Sequence, residues 1–111
     1  MENLQVRATF QIHEGKLEIF RGLASKCIES VKEKDVGTLQ YDWFLSKDQS
    51  QCIVRETYVD SGALLSHVTN LGDLFGQLLE VSDFSVQLFG HPSTELLHAI
   101  ATFDPQVYTP L

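Results

Sequence analysis

Leu4-Gln5-Val6-Arg7-Ala8-Thr9-Phe10-Gln11-Ile12 is followed, after the break His13-Glu14-Gly15, by a run of different rhythm from Lys16 to Val31. In the first run Leu4, Val6, Ala8, Phe10 and Ile12 alternate with Gln5, Arg7, Thr9 and Gln11, the period of a strand with one buried face. In the second, Leu17, Phe20, Leu23, Ala24, Cys27, Ile28 and Val31 recur at spacings of three and four. That is an amphipathic helix of about five turns, with Lys and Glu on its outer side. Asp35-Val36-Gly37 ends it, and Gly37 is predicted to take the left-handed C-cap position.

Working outward, a second strand has Leu39, Tyr41, Trp43 and Leu45 on one face and Gln40, Asp42 and Phe44 on the other. The polar stretch Ser46 to Ser50 reads as a hairpin loop. The third strand, Gln51 to Val59, sets Cys52, Val54, Glu56 and Tyr58 against Ile53, Arg55, Thr57 and Val59. Asp60 is placed to cap a second helix carrying Ala63, Leu64, His67, Val68 and Leu71, and a short helix is predicted over Leu74 to Leu79. Phe84 to Phe89 reads as a fourth strand. Ser93 then caps a short helix with the stripe Leu96, Leu97, Ile100 and Phe103, and Val107 to Leu111 reads as an apolar tail.

The order β-α-β-β-α-β is the split βαβ plan of an α+β, ferredoxin-like sandwich. It predicts one domain over residues 1–90, with residues 91–111 as a C-terminal helix and tail. Both main helices cover one sheet face and leave the other bare, with Phe44 and β-branched residues among Gln, Thr and Arg. A second copy packed on that face makes a homodimer, with the C-terminal segment packed on the partner.

The charge is uneven. The 111 residues carry a net −7, but residues 1–55 hold all eight basic side chains and eight acids, and residues 56–111 hold seven acids and neither Lys nor Arg. Such a balance argues against nucleic acid and against an anionic membrane surface as partners. The same acids are expected to keep Glu56 and His67 protonated. Cys27 and Cys52 are too few for a disulfide scaffold. The start lacks the basic and apolar regions of a signal peptide, and no apolar run reaches membrane-spanning length. A cytoplasmic protein with reduced thiols is expected.

Three stretches resemble the antibiotic biosynthesis monooxygenase family, the quinol monooxygenase-like group of dimeric α/β barrels. Gly37-Thr38-Leu39-Gln40-Tyr41-Asp42 is similar to its Gly-x-x-x-Tyr-Glu segment. Glu56-Thr57-Tyr58-Val59-Asp60 is similar to its Glu-x-Trp-x-Asp/Glu strand end, with Tyr for Trp. Ala63 and His67 follow at the family's Ala-x-x-x-His spacing, and the likeness runs from about Leu4 to Gly90. Many members carry another His four or five residues later, where this chain has Leu71 and Gly72. The resemblance implies a monooxygenase without metal or flavin, acting on a hydrophobic phenolic or quinol-type small molecule.

That chemistry needs a dry pocket, a proton acceptor and donors for the phenolic oxygens, because a deprotonated phenol is reducing enough to pass an electron to dioxygen. His67 is the candidate base, since imidazole titrates near neutrality. Glu56 is the second catalytic candidate, as an alternative base or as the group that orients His67. Tyr41, Trp43 and Tyr58 are the candidate substrate-binding residues, as flat walls and hydroxyl donors. The same residues also fit a core histidine, a carboxylate that fixes strand register, and ordinary core aromatics. Arg7 and Arg55 fit pairing across a dimer. His13, His91 and His98 lack metal-ligand spacing, so no metal site is expected. The alternative function is a dimeric small-molecule-binding module without catalysis, and a third is an interaction protein with a filled core.

Overall fold

A computed structural model describes residues 3–111; Met1 and Glu2, the first residues of the predicted 1–90 domain, lie outside the described residues. The chain runs β1 (Leu4–Ile12), α1 (Leu17–Lys34), β2 (Thr38–Leu45), β3 (Gln51–Tyr58), α2 (Ser61–Leu71), α3 (Asp73–Glu80), β4 (Ser82–Phe89), α4 (Thr94–Ala99), a 3-10 turn (Ala101–Phe103) and β5 (Gln106–Tyr108). The sheet order is β2-β3-β1-β4-β5. The first four strands pair antiparallel, and β5 joins β4 in parallel. The fold is ferredoxin-like, as the order of elements predicts.

The strict alternation of β1 becomes alternating burial, and the inward residues of β3 are Cys52, Val54, Glu56 and Tyr58. Cys52 and Val54 pack with the buried stripe of α1, Phe20, Leu23 and Cys27, while Tyr58 packs in a second cluster with Leu4, Val6, Leu64 and Leu88. Asp60 caps α2 by accepting from the Ala63 N–H at 2.8 Å, and Ser93 caps α4 through the Leu96 N–H at 3.1 Å. Cys27 and Cys52 are buried free thiols, which burial pushes up to about 12 and about 11. No helix among the described residues is long and apolar enough to cross a membrane.

Three local readings change. Gly37 is not left-handed; α1 ends on extended Asp35 instead. Glycine is required at 37 because a Cβ there would lie 2.6 Å from the Ala63 Cβ, so this is where β2 enters the sheet close against α2. A register shift between Thr38 and Gln40 leaves Leu39 as the extra residue, 57% exposed rather than on the buried face. The bulge lets both Thr38 and Tyr41 turn toward the helices. The tail is not all tail, since Gln106 to Tyr108 add a fifth strand and Gly90 N–H bonds the Tyr108 carbonyl at 2.9 Å. Within the chain, α4 packs on α2, and the 3-10 turn packs on β4.

Candidate active site

β3 and α2 meet at Glu56 and His67, and the middle of β2 brings Tyr41 beside them. Glu56 is 7% exposed and His67 4%. The His67 Nδ1 lies 2.8 Å from Asp35 Oδ2. That carboxylate also accepts from Thr38 Oγ1 at 2.6 Å, and its other oxygen accepts from Asn70 Nδ2 at 2.9 Å. Burial pushes the Asp35 carboxyl up, but the hydrogen bonds from Thr38, Asn70 and His67 outweigh it and hold the group below its ordinary value. An ionised carboxylate only accepts, so Nδ1 carries the imidazole hydrogen and Nε2 keeps a lone pair.

Nε2 points toward Glu56, 3.9 Å from Oε1. That is too long for a direct hydrogen bond, and it lets one ligand oxygen reach both groups. Burial raises the Glu56 carboxyl to about 7, partly offset by the Tyr58 hydroxyl that donates to Oε1, with the Asp35 charge adding to the rise. His67 moves the other way: burial lowers it more than Asp35 raises it. The expectation that surrounding acids protonate both groups therefore fails for His67. Loss of water around the buried imidazole outweighs the Asp35 charge beside it.

The two groups open onto a cavity of about 310 Å³ between the sheet and α2, α3 and α4. Its wall includes Tyr41, Trp43, Glu56 and His67, and no Lys or Arg. Tyr41 meets the His67 ring edge-on at 5.0 Å and the Trp43 ring at 5.6 Å. Burial, then the charge of Glu56, drives the Tyr41 hydroxyl well above its ordinary value, so it stays a donor. Trp43 Nε1 is buried and, among the described residues, makes no hydrogen bond of proper geometry, though it lies near enough to the Tyr41 hydroxyl to favour its anion slightly. The cavity beside His67 removes the filled-core reading.

Of the five sequence-predicted site residues, four line the cavity. Tyr58 does not: it is 0% exposed, and its hydroxyl is turned onto Glu56 two residues back on the same strand face. A fully buried phenol needs a polar partner, and the carboxylate beside it is the nearest one. Asp35, Thr38 and Asn70 were not singled out by the sequence. His13 pairs with Asp83 at the surface, while His91 and His98 sit after β4 and within α4, away from the cavity. No group of three or more metal-ligating side chains among the described residues is placed to hold an ion.

Residues 4–72 match the family model described as antibiotic biosynthesis monooxygenase. The chain belongs to the antibiotic biosynthesis monooxygenase family. Glu56, His67 and Asp35, the carboxylate that anchors His67, all lie within the part that matches this family. Among solved structures, MupZ from Pseudomonas fluorescens superposes with a TM-score of 0.87 at 23% identity, covering 100% of this chain and 92% of that one. Rv0793 from Mycobacterium tuberculosis gives 0.72 at 21% identity, over 83% and 97% of the two chains. A conserved protein from Methanosarcina mazei Go1 gives 0.72 at 19%, over 85% and 95%. At these identities the likeness is one of fold. No curated protein matches the sequence.

Proposed function

We propose that the protein is a cofactor-independent monooxygenase that oxidises a hydrophobic phenolic or quinol-type small molecule in this cavity. The observation that carries the reading is His67: anchored at Nδ1 by a buried carboxylate, it keeps a free Nε2 at the wall of a nearly charge-free apolar cavity. In the proposed reaction Nε2 takes the phenolic proton. The resulting anion passes an electron to dioxygen. One oxygen atom enters the product, and the other leaves as water with two hydrogens of the substrate. The substrate supplies all the electrons, so neither metal nor flavin is required. Neutral Glu56 supplies a proton to the reduced oxygen, Tyr41 and Trp43 hold the ligand, and Tyr58 orients Glu56 from behind.

Oxygen uptake with a panel of hydroquinones and anthrones tests this. Turnover is expected to fall at least about 100-fold in His67→Ala and in Glu56→Gln. Uptake no faster than in those variants overturns the reading, and ligand binding without uptake leaves a binding module instead.

The proposal extends to a homodimer formed through the open sheet face, where exposed Phe44 and Phe89 surround Arg7 and Arg55 in a shallow depression. Exposed Val107, Tyr108 and Leu111 then give the C-terminal segment its contact with the partner. A 12.5 kDa species in sedimentation at micromolar concentration counts against that assembly. Two buried reduced thiols suit the cytoplasm, where we place the protein.

A further inference from the structure

The cavity has two unlike ends. Glu56 pairs with Val6 across β1–β3, and Phe84 pairs with Phe10 across β1–β4. Val6 and Phe10 are four residues apart on β1, and β3 and β4 flank β1 on opposite sides. The main-chain positions of Glu56 and Phe84 are therefore displaced by about 13 Å along the strands and about 10 Å across them. At the Glu56 end are His67 and Tyr41, and Trp43, paired with Val54, stands two residues nearer the other end. At the other, Phe75, Phe84 and Phe103 close a triangle of edge-to-face contacts with centroids 5.1 to 5.5 Å apart. Ring contacts lead from one end to the other through Trp43, Phe10 and Phe84.

The polar end fixes what can sit there. His67 Nε2 is an acceptor, and the Trp43 indole N–H is a donor left without a bond at the wall. A group that satisfies both donates and accepts, as a hydroxyl does. A carboxylate or phosphate cannot donate to Nε2, would find no Lys or Arg on the wall, and would lie beside Glu56 and Asp35. The apolar end offers only rings and aliphatic carbon. It is built by α3, β4 and the 3-10 turn, all beyond the residues 4–72 that carry the family match.

We propose that the cavity takes an amphipathic molecule in one orientation, a neutral hydroxyl head between His67 and Trp43 and an apolar body against Phe75, Phe84 and Phe103, with Phe103 setting the length accepted. Phe103 is half-buried in the 3-10 turn and is the member of the triangle that comes from the C-terminal segment. Its size can change without cutting into a strand. The inference rests on this cavity being the ligand site of the reading above, and not on what becomes of the ligand.

Trp43 is the sole tryptophan and stands in the wall, so its fluorescence reports occupancy directly. The probes are 4-alkylphenols with side chains from ethyl to octyl and the matching 4-alkylbenzoates. They are titrated without oxygen at about pH 8, where the phenols are neutral and the benzoates charged. Each phenol is expected to bind at least about tenfold more tightly than its benzoate. Phe103→Ala should move the preferred side chain longer by about two carbons, and Phe103→Trp should shorten it, because the wall recedes or advances. His67→Gln should weaken all phenols by a common factor and leave the preferred length where it was. Equal binding of benzoates overturns the head assignment. An unchanged preferred length in both Phe103 variants, with circular dichroism showing them folded, overturns the length assignment. Phe103→Leu serves where Phe103→Ala does not fold. Without oxygen in the cell, failure of the monooxygenase reading leaves these outcomes unaltered, and their failure leaves oxygen uptake to be judged by itself.

Discussion

The two ends of the cavity are held in place by different forces. At the polar end six side chains are held by hydrogen bonds in two groups: Thr38 and Asn70 donate to Asp35, which holds His67, and Tyr58 holds Glu56. At the apolar end three phenyl rings touch edge-on, with no directional bond among them stronger than that contact. Hydrogen bonds specify the identity of an atom, whereas packing specifies only volume and shape. The polar end should therefore fail on changes that keep shape and alter donors, and the apolar end should tolerate changes that keep volume.

Asp35→Asn is the most direct way to break that difference. The change is nearly isosteric, yet it gives Thr38, Asn70 and His67 one amide oxygen in place of two carboxylate oxygens, and it adds an N–H2 group facing donors. The imidazole then relieves the clash by moving its hydrogen to Nε2, which removes the lone pair needed for proton abstraction. Loss of the right tautomer in the Ser-His-Asp arrangement costs about 10⁴ in rate. Here at least about 100-fold in kcat is expected, with affinity for the 4-alkylphenols changed less than about tenfold, since their body still binds the rings. Nitrogen chemical shifts of the imidazole read the tautomer independently of activity. An Asp35→Asn protein with unchanged kcat and the hydrogen still on Nδ1 would remove the distinction between the ends.

This anchor also marks where the sequence stops being legible. β1, α1, the inward face of β3 and the caps Asp60 and Ser93 were readable because each depends on residues within a turn or on simple alternation. Of the three partners of Asp35, Thr38 is local, but His67 and Asn70 lie 32 and 35 residues away. Its one local signal was an acid at the C-terminal end of α1, where the helix dipole disfavours it. Taken with Val36 and Gly37, that signal indicates a helix stop and nothing more. Gly37 carried a local explanation, a cap, while its actual cause is the Ala63 side chain 26 residues on. The bulge at Leu39 is set by pairing with β3 and leaves the alternation of side-chain types intact, so it has no sequence signature of its own. β5 is three residues long and exists only because β4 offers an edge.

The carboxyl at the polar end makes a second test, through stability. Glu56 is raised in the folded protein from its ordinary 4.5 to about 7, chiefly by burial. Below about 4.5 it is protonated whether the chain is folded or not. Between there and 7 the folded state keeps a proton that the unfolded chain has released, so stability falls as pH rises through that window. The full effect is on the order of 3 kcal/mol, taken at 1.36 kcal/mol per unit. Glu56→Gln keeps an acceptor for Tyr58 and has nothing to titrate. The variant should gain on the native protein between about pH 5 and pH 8 by up to that amount, measured as urea midpoints at fixed m. His67, lowered in the folded state, works with the opposite sign: its contribution is complete above 6.5 and is lost as pH falls below it. The difference between the two proteins isolates the carboxyl from that second slope. A difference that does not vary with pH would mean that Glu56 is ionised and solvated.

The smallest effect is expected at the apolar end. Phe75 sits half-buried in α3 and meets Phe84 at 5.1 Å and Phe103 at 5.5 Å, both edge-on. Phe75→Leu removes the quadrupole contact and part of the ring volume, but it leaves an apolar side chain with good helix propensity in the same place. A loss of about 1 kcal/mol is expected, the sum of a weakened edge contact and a small cavity. Oxygen uptake should stay within about threefold of the native rate, because no proton or hydrogen bond passes through this residue. Urea unfolding with an unchanged m value would show that the change acts on packing alone. If Phe75→Leu instead lost as much kcat as Asp35→Asn while remaining folded, the rings would be positioning the reacting atoms, and the division of the cavity into a chemical end and a shape end would not hold.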